Sequence, residues 1–460
     1  MLRRTSEWCQ FGRHTQPSAC CAGAPAKVRA HMLTQSHSPA RLKRLRWLGY
    51  GLLVSGFVLA FFHRNSPAAM AEALAAEWQA GPALLGTLAA SYFWVYTAMQ
   101  VPTGILADQV GPRRIVALGM VITGVGTVLF AVAPDAAWGA AARMLIGLGV
   151  SFPFISLMKF TAMWFPERQF ATVSGLTVFV GNLGAVLAAT PLVWLMARVA
   201  WQPVFVGIGV ATLVLALAIG RLVHDKPEHA GLPPVNPPTL REAGAGMHWR
   251  EGLLQVLRNR RTWPGFVVNF GLAGGAFGFA GLWGVPFLEG SYGMGKAEAA
   301  AQTSLLVMAC AVGGLVIGRI SDALGQRRAV MLVWTVLHTL LWLPWMLHWP
   351  LAIWQHSLLS AGLGFTSAAF VLTWAVAKEV NAPRLAGMAA GVVNTGAFLG
   401  GAVIQQAIGF WVEWRVEQAA TASNALHEGV WLIPLTCALG VVAAWCVTET
   451  HARNISHARA

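Results

Sequence analysis

The chain has 460 residues, of which 56% are hydrophobic and only 11% are charged. A soluble domain carries about a quarter charged residues, so this composition excludes a soluble globular domain and indicates a polytopic membrane protein. The formal net charge of +14 does not indicate a nucleic-acid partner, because the basic residues are concentrated in particular segments between apolar stretches.

Twelve apolar segments are long enough to cross about 30 Å of bilayer hydrocarbon, which takes about 20 helical residues. A hydrophilic stretch with two proline pairs separates the first six from the last six and cannot itself span the membrane. The predicted spans are residues 47–70, 84–106, 115–133, 138–163, 170–197, 203–223, 263–288, 302–320, 329–347, 350–377, 385–410 and 430–447. The sequence thus predicts an all-α membrane protein with a tail at 1–46, a six-helix bundle at 47–223, a linker at 224–262, a second six-helix bundle at 263–447 and a tail at 448–460.

The basic residues are distributed unevenly between the two sets of loops. Nine lysines and arginines lie in residues 1–46 and seven in 221–261, whereas the alternate loops contain only Arg198, Lys296 and Arg415. Because cytoplasmic loops carry an excess of lysine and arginine, we expect both termini and the linker to be cytoplasmic. The expected location is the inner or plasma membrane.

One short motif occurs twice, each time between two predicted spans. Its two copies, which we call latch 1 and latch 2, are 214 residues apart. Latch 1 consists of Gly104, Asp108, Gly111, Arg113 and Arg114, and latch 2 of Gly318, Asp322, Gly325, Arg327 and Arg328. The glycines suit tight turns at the membrane surface, the aspartate can accept hydrogen bonds from a neighbouring helix N-terminus, and the arginines can hold adjacent helix ends.

The latches resemble the loop between the second and third helices of the major facilitator superfamily, which recurs between the eighth and ninth helices. The family pattern has basic residues at the positions of Gln109 and Ala323, and again at those of Pro112 and Gln326. Each copy here therefore lacks two of the basic residues of the family pattern. The resemblance implies a two-bundle carrier in which the latches act as gates.

The two halves also correspond outside the latches. Asn182 in the fifth span and Asn394 in the eleventh each begin an Asn-x-Gly-Ala sequence. Repeated six-span halves are the plan expected for alternating access, with the substrate held between them near the bilayer midplane. We therefore place both asparagines among the candidate substrate-binding residues.

Basic residues inside apolar spans are the strongest candidates for substrate contact, because they are costly to insert and usually mark pathways. Arg64 lies in a polar cluster with His63, well inside the first span, and its guanidinium suits bidentate capture of a carboxylate or phosphate. Lys159 lies in the fourth span, about seven residues from the loop. The alternative for both cations is that they extend to the membrane interface.

Both cations resemble basic residues of the organophosphate and organic-anion carriers of the superfamily. These carriers have a second arginine in the seventh helix, whereas residues 274–283 contain no charge here. The resemblance implies an organic anion as substrate and puts phosphate-ester exchange in doubt. Trp283 and Trp374 are candidate cavity residues, with packing or lipid contact as the alternative.

Three further charged residues are predicted to act in gating. Arg143 resembles the arginine that precedes glycines in the fourth helix of the family, with an interface anchor as the alternative. Lys378 and Glu379 close the tenth span and are expected to form part of the cytoplasmic gate. Acidic residues are missing from the middle of the spans, so the coupling ion, a proton or sodium, stays open, with Glu289 or His63 as the titratable candidates.

The sequence shows no catalytic cluster, metal-ligand spacing or nucleotide loop, so we expect no enzyme activity, no metal and no cofactor. The predicted function is transport of a small organic solute, most simply an anion, by a monomer in the lipid bilayer. Two alternatives stay open: a carrier for dipeptides or siderophore-type metabolites, and a non-transporting sensor or scaffold on the same fold.

Overall fold

The computed structural model describes residues 39–235, 249–382 and 385–455, and all side chains within them except those at positions 39, 101, 105, 108, 109, 167, 168, 170–172 and 175. The predicted tail before residue 39, part of the predicted linker and the Asp108 side chain therefore lie outside the described residues. The chain divides into two units, residues 1–47 and 48–460, and apart from helical residues 39–47 everything below concerns the second.

The first six predicted spans are all helical. Proline opens several of them at the first turn, where its missing N–H is not needed. Spans 1 to 6 are Pro39–Trp78; Pro82–Val110; Pro112–Ala131; Ala136–Val150 with Pro153–Trp164; Glu167–Leu187 with Thr190–Met196; and Trp201–Leu222.

The last six predicted spans are helical as well, and a short helix at Trp249–Arg258 precedes them. Span 7 contains one turn of π-helix, Phe279–Trp283, between two α-helical parts. Spans 7 to 12 are Trp263–Gly278 with Gly284–Tyr292; Lys296–Leu324; Arg328–Leu341 with Leu343–Met346; Ile353–Ser367 with Phe370–Val380; Ala386–Glu417; and Ala422–Val430 with Leu432–Cys446.

Within the described residues, eleven helices are long and apolar enough to cross a membrane, and they correspond to every span except span 2. Span 2 is a 29-residue helix in which two tyrosines and two glutamines lower the hydropathy. The prediction of an all-α, twelve-span architecture is confirmed.

The packing of the first six spans is repeated by the last six. Spans 2 and 4 pack together, as do spans 8 and 10, and the pairs 3 with 6 and 9 with 12 correspond in the same way. Contacts between the halves follow the same symmetry, with span 2 lying along span 11 and span 5 along span 8. The fold is thus two related six-helix bundles that meet along two helix pairs.

Among the described residues, the two halves pack closely against each other at one end. We call the end that carries residues 224–235 and 249–258 the linker end, and the opposite end the far end. At the far end, a Cβ on Gly86 would lie 2.7 Å from the Gln405 carbonyl oxygen, and one on Gly409 would lie 2.5 Å from that of Pro82. At the linker end, a Cβ on Gly104 or Gly391 would meet nothing within 4 Å.

Side-chain contacts hold the far end closed. Lys296 Nζ lies 2.7 Å from Glu72 Oε2, and the backbone N–H of Ala83 donates to Glu413 Oε2 at 2.9 Å. An apolar core at this end includes Ala89 of the first half together with residues of the second half. Among the described residues, the two halves are therefore packed together at the far end, with open space beside Gly104 and Gly391 at the linker end.

Candidate anion site and gates

Arg64 is buried at the level where the two halves meet. Its side chain is only 3% exposed. Its guanidinium carbon lies above four aromatic rings, at 4.5 Å from the centroid of Phe61, 5.6 Å from Tyr96, 4.7 Å from Phe277 and 4.9 Å from Phe398. Two of these rings belong to the first half and two to the second.

The ring positions show how deep Arg64 lies. Tyr96 and Phe277 each occupy the middle of their span, and Phe398 lies within about one turn of the middle of span 11. Arg64 is therefore near the midplane rather than at an interface, a location that opposes the snorkelling alternative. Within the described residues the guanidinium forms no ion pair, and its Nε has no hydrogen-bond partner.

The π-helical turn of span 7 brings the halves together beside Arg64. Such turns often occur at functional sites, because the extra residue shifts the face of the helix that follows. A Cβ on Gly281 would lie 2.7 Å from Gln405 Nε2 and 3.4 Å from the Arg64 carbonyl oxygen, so only glycine fits without a shift. The Trp283 indole N–H donates to the Gln405 carbonyl at 3.0 Å, which ties span 7 to span 11.

Arg143 and His63 lie inside the first bundle. Arg143 Nε donates to the Leu88 carbonyl at 3.0 Å, and its Nη2 donates to that of His63 at 3.4 Å. His63 Nε2 lies 3.3 Å from Thr127 Oγ1, and its Nδ1 has no partner among the described residues. The His63 ring thus lies beside span 3, while the neighbouring Arg64 lies against rings of both halves.

Lys159 is separate from this group. Its ammonium donates to the Ala107 carbonyl at 2.9 Å, close to latch 1. Ala107 is eleven residues beyond Tyr96 along span 2, which amounts to about 16 Å at 1.5 Å per residue. The structure does not bring Lys159 and Arg64 to one ligand, and the position of Lys159 fits an anchor at the linker end.

The two candidate asparagines have different surroundings. Asn394 Nδ2 donates to Gln100 Oε1 at 3.3 Å, a contact between span 11 and span 2. Asn182 Nδ2 donates to the Val178 carbonyl of its own helix at 2.8 Å. Of the two, Asn394 lies at the junction of the halves.

Latch 2 is a compact ion-pair network. Arg327 is 2.6 Å from Asp322 through Nη1 and 2.9 Å from Glu379 through Nη2. This one guanidinium therefore connects the end of span 8 to the end of span 10. Gly325 has a φ of +62°, which agrees with the tight turn expected from the motif.

The carboxylate that accepts from the N-terminus of span 9 is Glu449, not the Asp322 that the motif suggested. The backbone N–H groups of Arg327 and Arg328 donate to Glu449 at 2.8 and 2.9 Å. Burial raises the pKa of Glu449, but hydrogen bonds from Arg327, His451, Arg328 and Thr450 outweigh this and hold the pKa below its usual value.

Latch 1 has a corresponding carboxylate. Asp225, just after span 6, accepts from the backbone N–H of Arg113 at 2.7 Å. Gly111 has a φ of +94°, and a Cβ there would lie 3.0 Å from the Asp225 carboxylate. Sequence reasoning missed Asp225 and Glu449, although each follows the last apolar turn of its half by a few residues. Arg114 is exposed near the start of span 3.

The residues after span 12 also contact the linker end of span 10. Asn454 Nδ2 donates to the Lys378 carbonyl at 2.9 Å, and the Ile455 N–H donates to that of Glu379 at 2.7 Å. A cavity of about 590 Å³ lies here, lined by Val371, Trp374, Ala375, Lys378, Glu379, Ala386 and Asn454. Trp374 is therefore at the linker end, apart from the rings around Arg64.

In the part of the chain that the structure describes, no group of three or more histidine, cysteine, aspartate or glutamate side chains could hold a metal ion. The chemistry of the central site is that of one buried cation held by aromatic rings. Such a site suits anion binding rather than bond breaking.

Comparisons with known proteins agree with this fold. The sequence model of the Major Facilitator Superfamily matches residues 52–404. The chain is 23% identical over 388 residues to a probable sulfoacetate transporter of Cupriavidus necator, covering 80% of this chain and 88% of the relative. It is 27% identical over 269 residues to a galacturonate transporter of Dickeya chrysanthemi, covering 56% of this chain and 76% of the relative.

Two solved structures share the fold. A bacterial homologue of the human lysosomal transporter Spinster, inward-facing and unoccupied, has a TM-score of 0.70 and 15% identity, covering 88% of this chain and 97% of its own. A D-xylose–proton symporter has a TM-score of 0.65 and 15% identity, covering 88% and 98%.

The family match extends over most of both halves, and the sulfoacetate and galacturonate relatives are both transporters. The alternatives of a dipeptide or siderophore-type carrier and of a non-transporting sensor or scaffold are therefore not favoured. With twelve spans, two related bundles and a duplicated loop, this chain belongs to the major facilitator superfamily of membrane transporters.

Proposed function

We propose that the protein carries a small organic anion across the plasma or inner membrane by alternating access, with Arg64 as the residue that binds the anion. The observation that carries this proposal is the burial of Arg64 at mid-span between rings of both halves, without an acidic partner among the described residues. A guanidinium buried among rings of both halves, with no carboxylate partner among the described residues, keeps its charge available to an anionic ligand.

The location of Arg64 connects binding to movement. Phe277 and Phe398 belong to the second half and Phe61 and Tyr96 to the first, so rocking of the halves must change the surroundings of Arg64. An anion bound there is released to one side when the halves part at that end. One chain supplies the whole site, which supports a monomer as the working unit.

The two ends of the molecule are assigned to the two sides of the membrane by their charge. The linker end, where the basic residues are concentrated, is the cytoplasmic end, and both termini lie on that side. The structure then represents an inward-open state, held by the Lys296–Glu72 pair and the span 2–span 11 contacts at the far end. Latches 1 and 2 stabilise the ends of neighbouring helices within each half during the movement, and Arg143 connects span 4 to spans 1 and 2 inside the first bundle.

The relatives supply the first ligands to test. Their names specify sulfoacetate and galacturonate, both of them organic anions. Thermal stabilisation of the purified protein by a panel of carboxylates and sulfonates, measured beside Arg64→Lys, tests the site. We expect one or more of these anions to stabilise the parent. The apparent affinity of Arg64→Lys for the same anion should be about ten- to a hundredfold lower, because lysine cannot reproduce the guanidinium fork. Equal stabilisation of the two proteins would remove Arg64 from the site.

A further inference from the structure

We propose that the site takes a small monoanion with an apolar body, a carboxylate or sulfonate, in preference to a dianion or a polyhydroxylated sugar acid. This inference rests on the proposed function and specifies its substrate class. The observation behind it is what surrounds Arg64: one cation, several aromatic rings and few polar groups with free hydrogen-bonding capacity.

The charge around Arg64 favours a ligand with one negative charge. Among the described residues, Arg64 is the one cation that contacts this set of rings. Lys159 donates to Ala107, about 16 Å from Tyr96 along span 2, and Arg143 uses its guanidinium on carbonyls inside the first bundle. A second negative charge on the ligand would therefore lie among aromatic rings without a partner, which is strongly unfavourable.

Aromatic rings form the surface around Arg64. Tyr96 and Phe398 stack at a centroid distance of 4.1 Å, Phe277 and Phe398 lie 5.6 Å apart, and Phe93 and Phe277 lie 5.9 Å apart. These rings extend the surface that covers Arg64. They offer faces and edges to an apolar or aromatic ligand body, a contact that adds to the burial of its surface.

Hydrogen-bonding capacity near Arg64 is limited. Two amide nitrogens at this level already have partners: Asn394 Nδ2 donates to Gln100 at 3.3 Å, and Gln405 Nε2 donates to the Phe277 carbonyl at 3.1 Å. Among the described residues, the buried polar atoms without a partner here include Arg64 Nε and Gln405 Oε1, and the Tyr96 hydroxyl is a further hydrogen-bonding group beside Arg64. A sugar acid brings several hydroxyls, and each one left without a partner lowers affinity by roughly 5- to 150-fold.

The rings also explain how Arg64 is buried when no anion is present. A guanidinium above aromatic faces is stabilised by their negative electrostatic potential, so it needs no carboxylate partner. An incoming monoanion replaces some of the rings in contact with the guanidinium, and its body packs against the remaining rings. A ligand with one anionic group and an apolar or aromatic body therefore pairs with the guanidinium and also packs against the rings.

The test compares three probes on the purified full-length chain: benzoate, its dianionic analogue phthalate, and the polyhydroxylated monoanion galacturonate. Thermal stabilisation is titrated for the parent and for Arg64→Lys. We expect benzoate to bind at least tenfold more tightly than either of the others, and to lose about tenfold or more in Arg64→Lys. Galacturonate or phthalate binding as tightly as benzoate, with the same dependence on Arg64, would overturn the substrate class and leave the proposed function standing.

If no probe shows binding that depends on Arg64, the proposed function fails together with this inference. A second pair of variants tests the ring wall itself. Phe398→Asn places an amide beside Arg64, while Phe398→Leu keeps the position apolar and serves as the matched control. We expect Phe398→Asn to narrow the preference for benzoate over galacturonate by roughly 2- to 12-fold and Phe398→Leu to retain it. An unchanged preference in Phe398→Asn would show that the rings do not select the ligand.

Discussion

The packing of span 2 against span 11 at the far end allows the access equilibrium to be shifted by a single methyl group. In Gly409→Ala the new Cβ would lie 2.5 Å from the Pro82 carbonyl oxygen and 3.1 Å from the Ala83 Cα. Both contacts are with backbone, so the two helices must separate. Overpacking of this kind costs about 1–3 kcal/mol. The cost falls on the far-closed state, because the helices part there when the far end opens.

This free energy corresponds to a shift of roughly 5- to 150-fold toward the far-open state. The assay uses Ala89→Cys, in a background whose native cysteines are serine, and a membrane-impermeant maleimide added outside cells. Ala89 is 1% exposed in the far-end core, so it becomes reactive only when that end opens. We expect Gly409→Ala to raise its labelling rate by several-fold to about a hundredfold.

The matched control is Gly391→Ala, which lies on the same helix but at the linker end. A Cβ there meets nothing within 4 Å in this state, so it does not strain the closed far end. We expect its labelling rate to equal or fall below that of the parent. Labelling of Gly409→Ala at the parental rate would refute the reasoning that this contact holds the far end closed.

Three other predictions test the remaining parts of the account. Asp322→Asn should slow uptake per molecule. The abundance of the protein should stay near that of the parent, because Asp322 is 67% exposed and its partner Arg327 keeps its bond to Glu379. Uptake at the parental rate would argue against latch 2 as a gate. Glu449→Gln should lower the melting temperature near neutral pH. The Glu449 carboxylate stabilises the fold above its ordinary pKa of 4.5, and this contribution is lost as the pH falls through the lowered pKa of the folded state. A variant whose melting temperature matches that of the parent across this pH range would contradict the prediction. Reporter fusions in 224–262 should report cytoplasm and those near Lys296 the other side, and an external linker would overturn the orientation.

The spans were predictable from the sequence because hydropathy and length suffice to identify membrane helices. The repeated latch motif predicted the tight turns at Gly111 and Gly325, since glycine spacing is a local property. The two helix-capping acids, Asp225 and Glu449, were within reach of the same reasoning, because each follows the last span of its half.

The surroundings of Arg64 could not be predicted in the same way. Its four rings come from four helices, and Phe61 and Phe398 are more than three hundred residues apart in the chain. Hydropathy places each ring in a span but does not specify which face of the helix it lies on. The same ambiguity paired Lys159 with Arg64, whereas the structure places Lys159 on the Ala107 carbonyl at the linker end.

The central claim is that an organic anion crosses the membrane by binding Arg64. The most direct measurement is saturable uptake into proteoliposomes of the anion that stabilises the parent best, compared among the parent, Arg64→Lys and Lys159→Ala. The account predicts that Arg64→Lys raises the half-saturating concentration by about ten- to a hundredfold. Lys159→Ala should leave that concentration within a few-fold of the parent, because Lys159 contacts Ala107 near the linker end. An unchanged half-saturating concentration in Arg64→Lys would contradict the account.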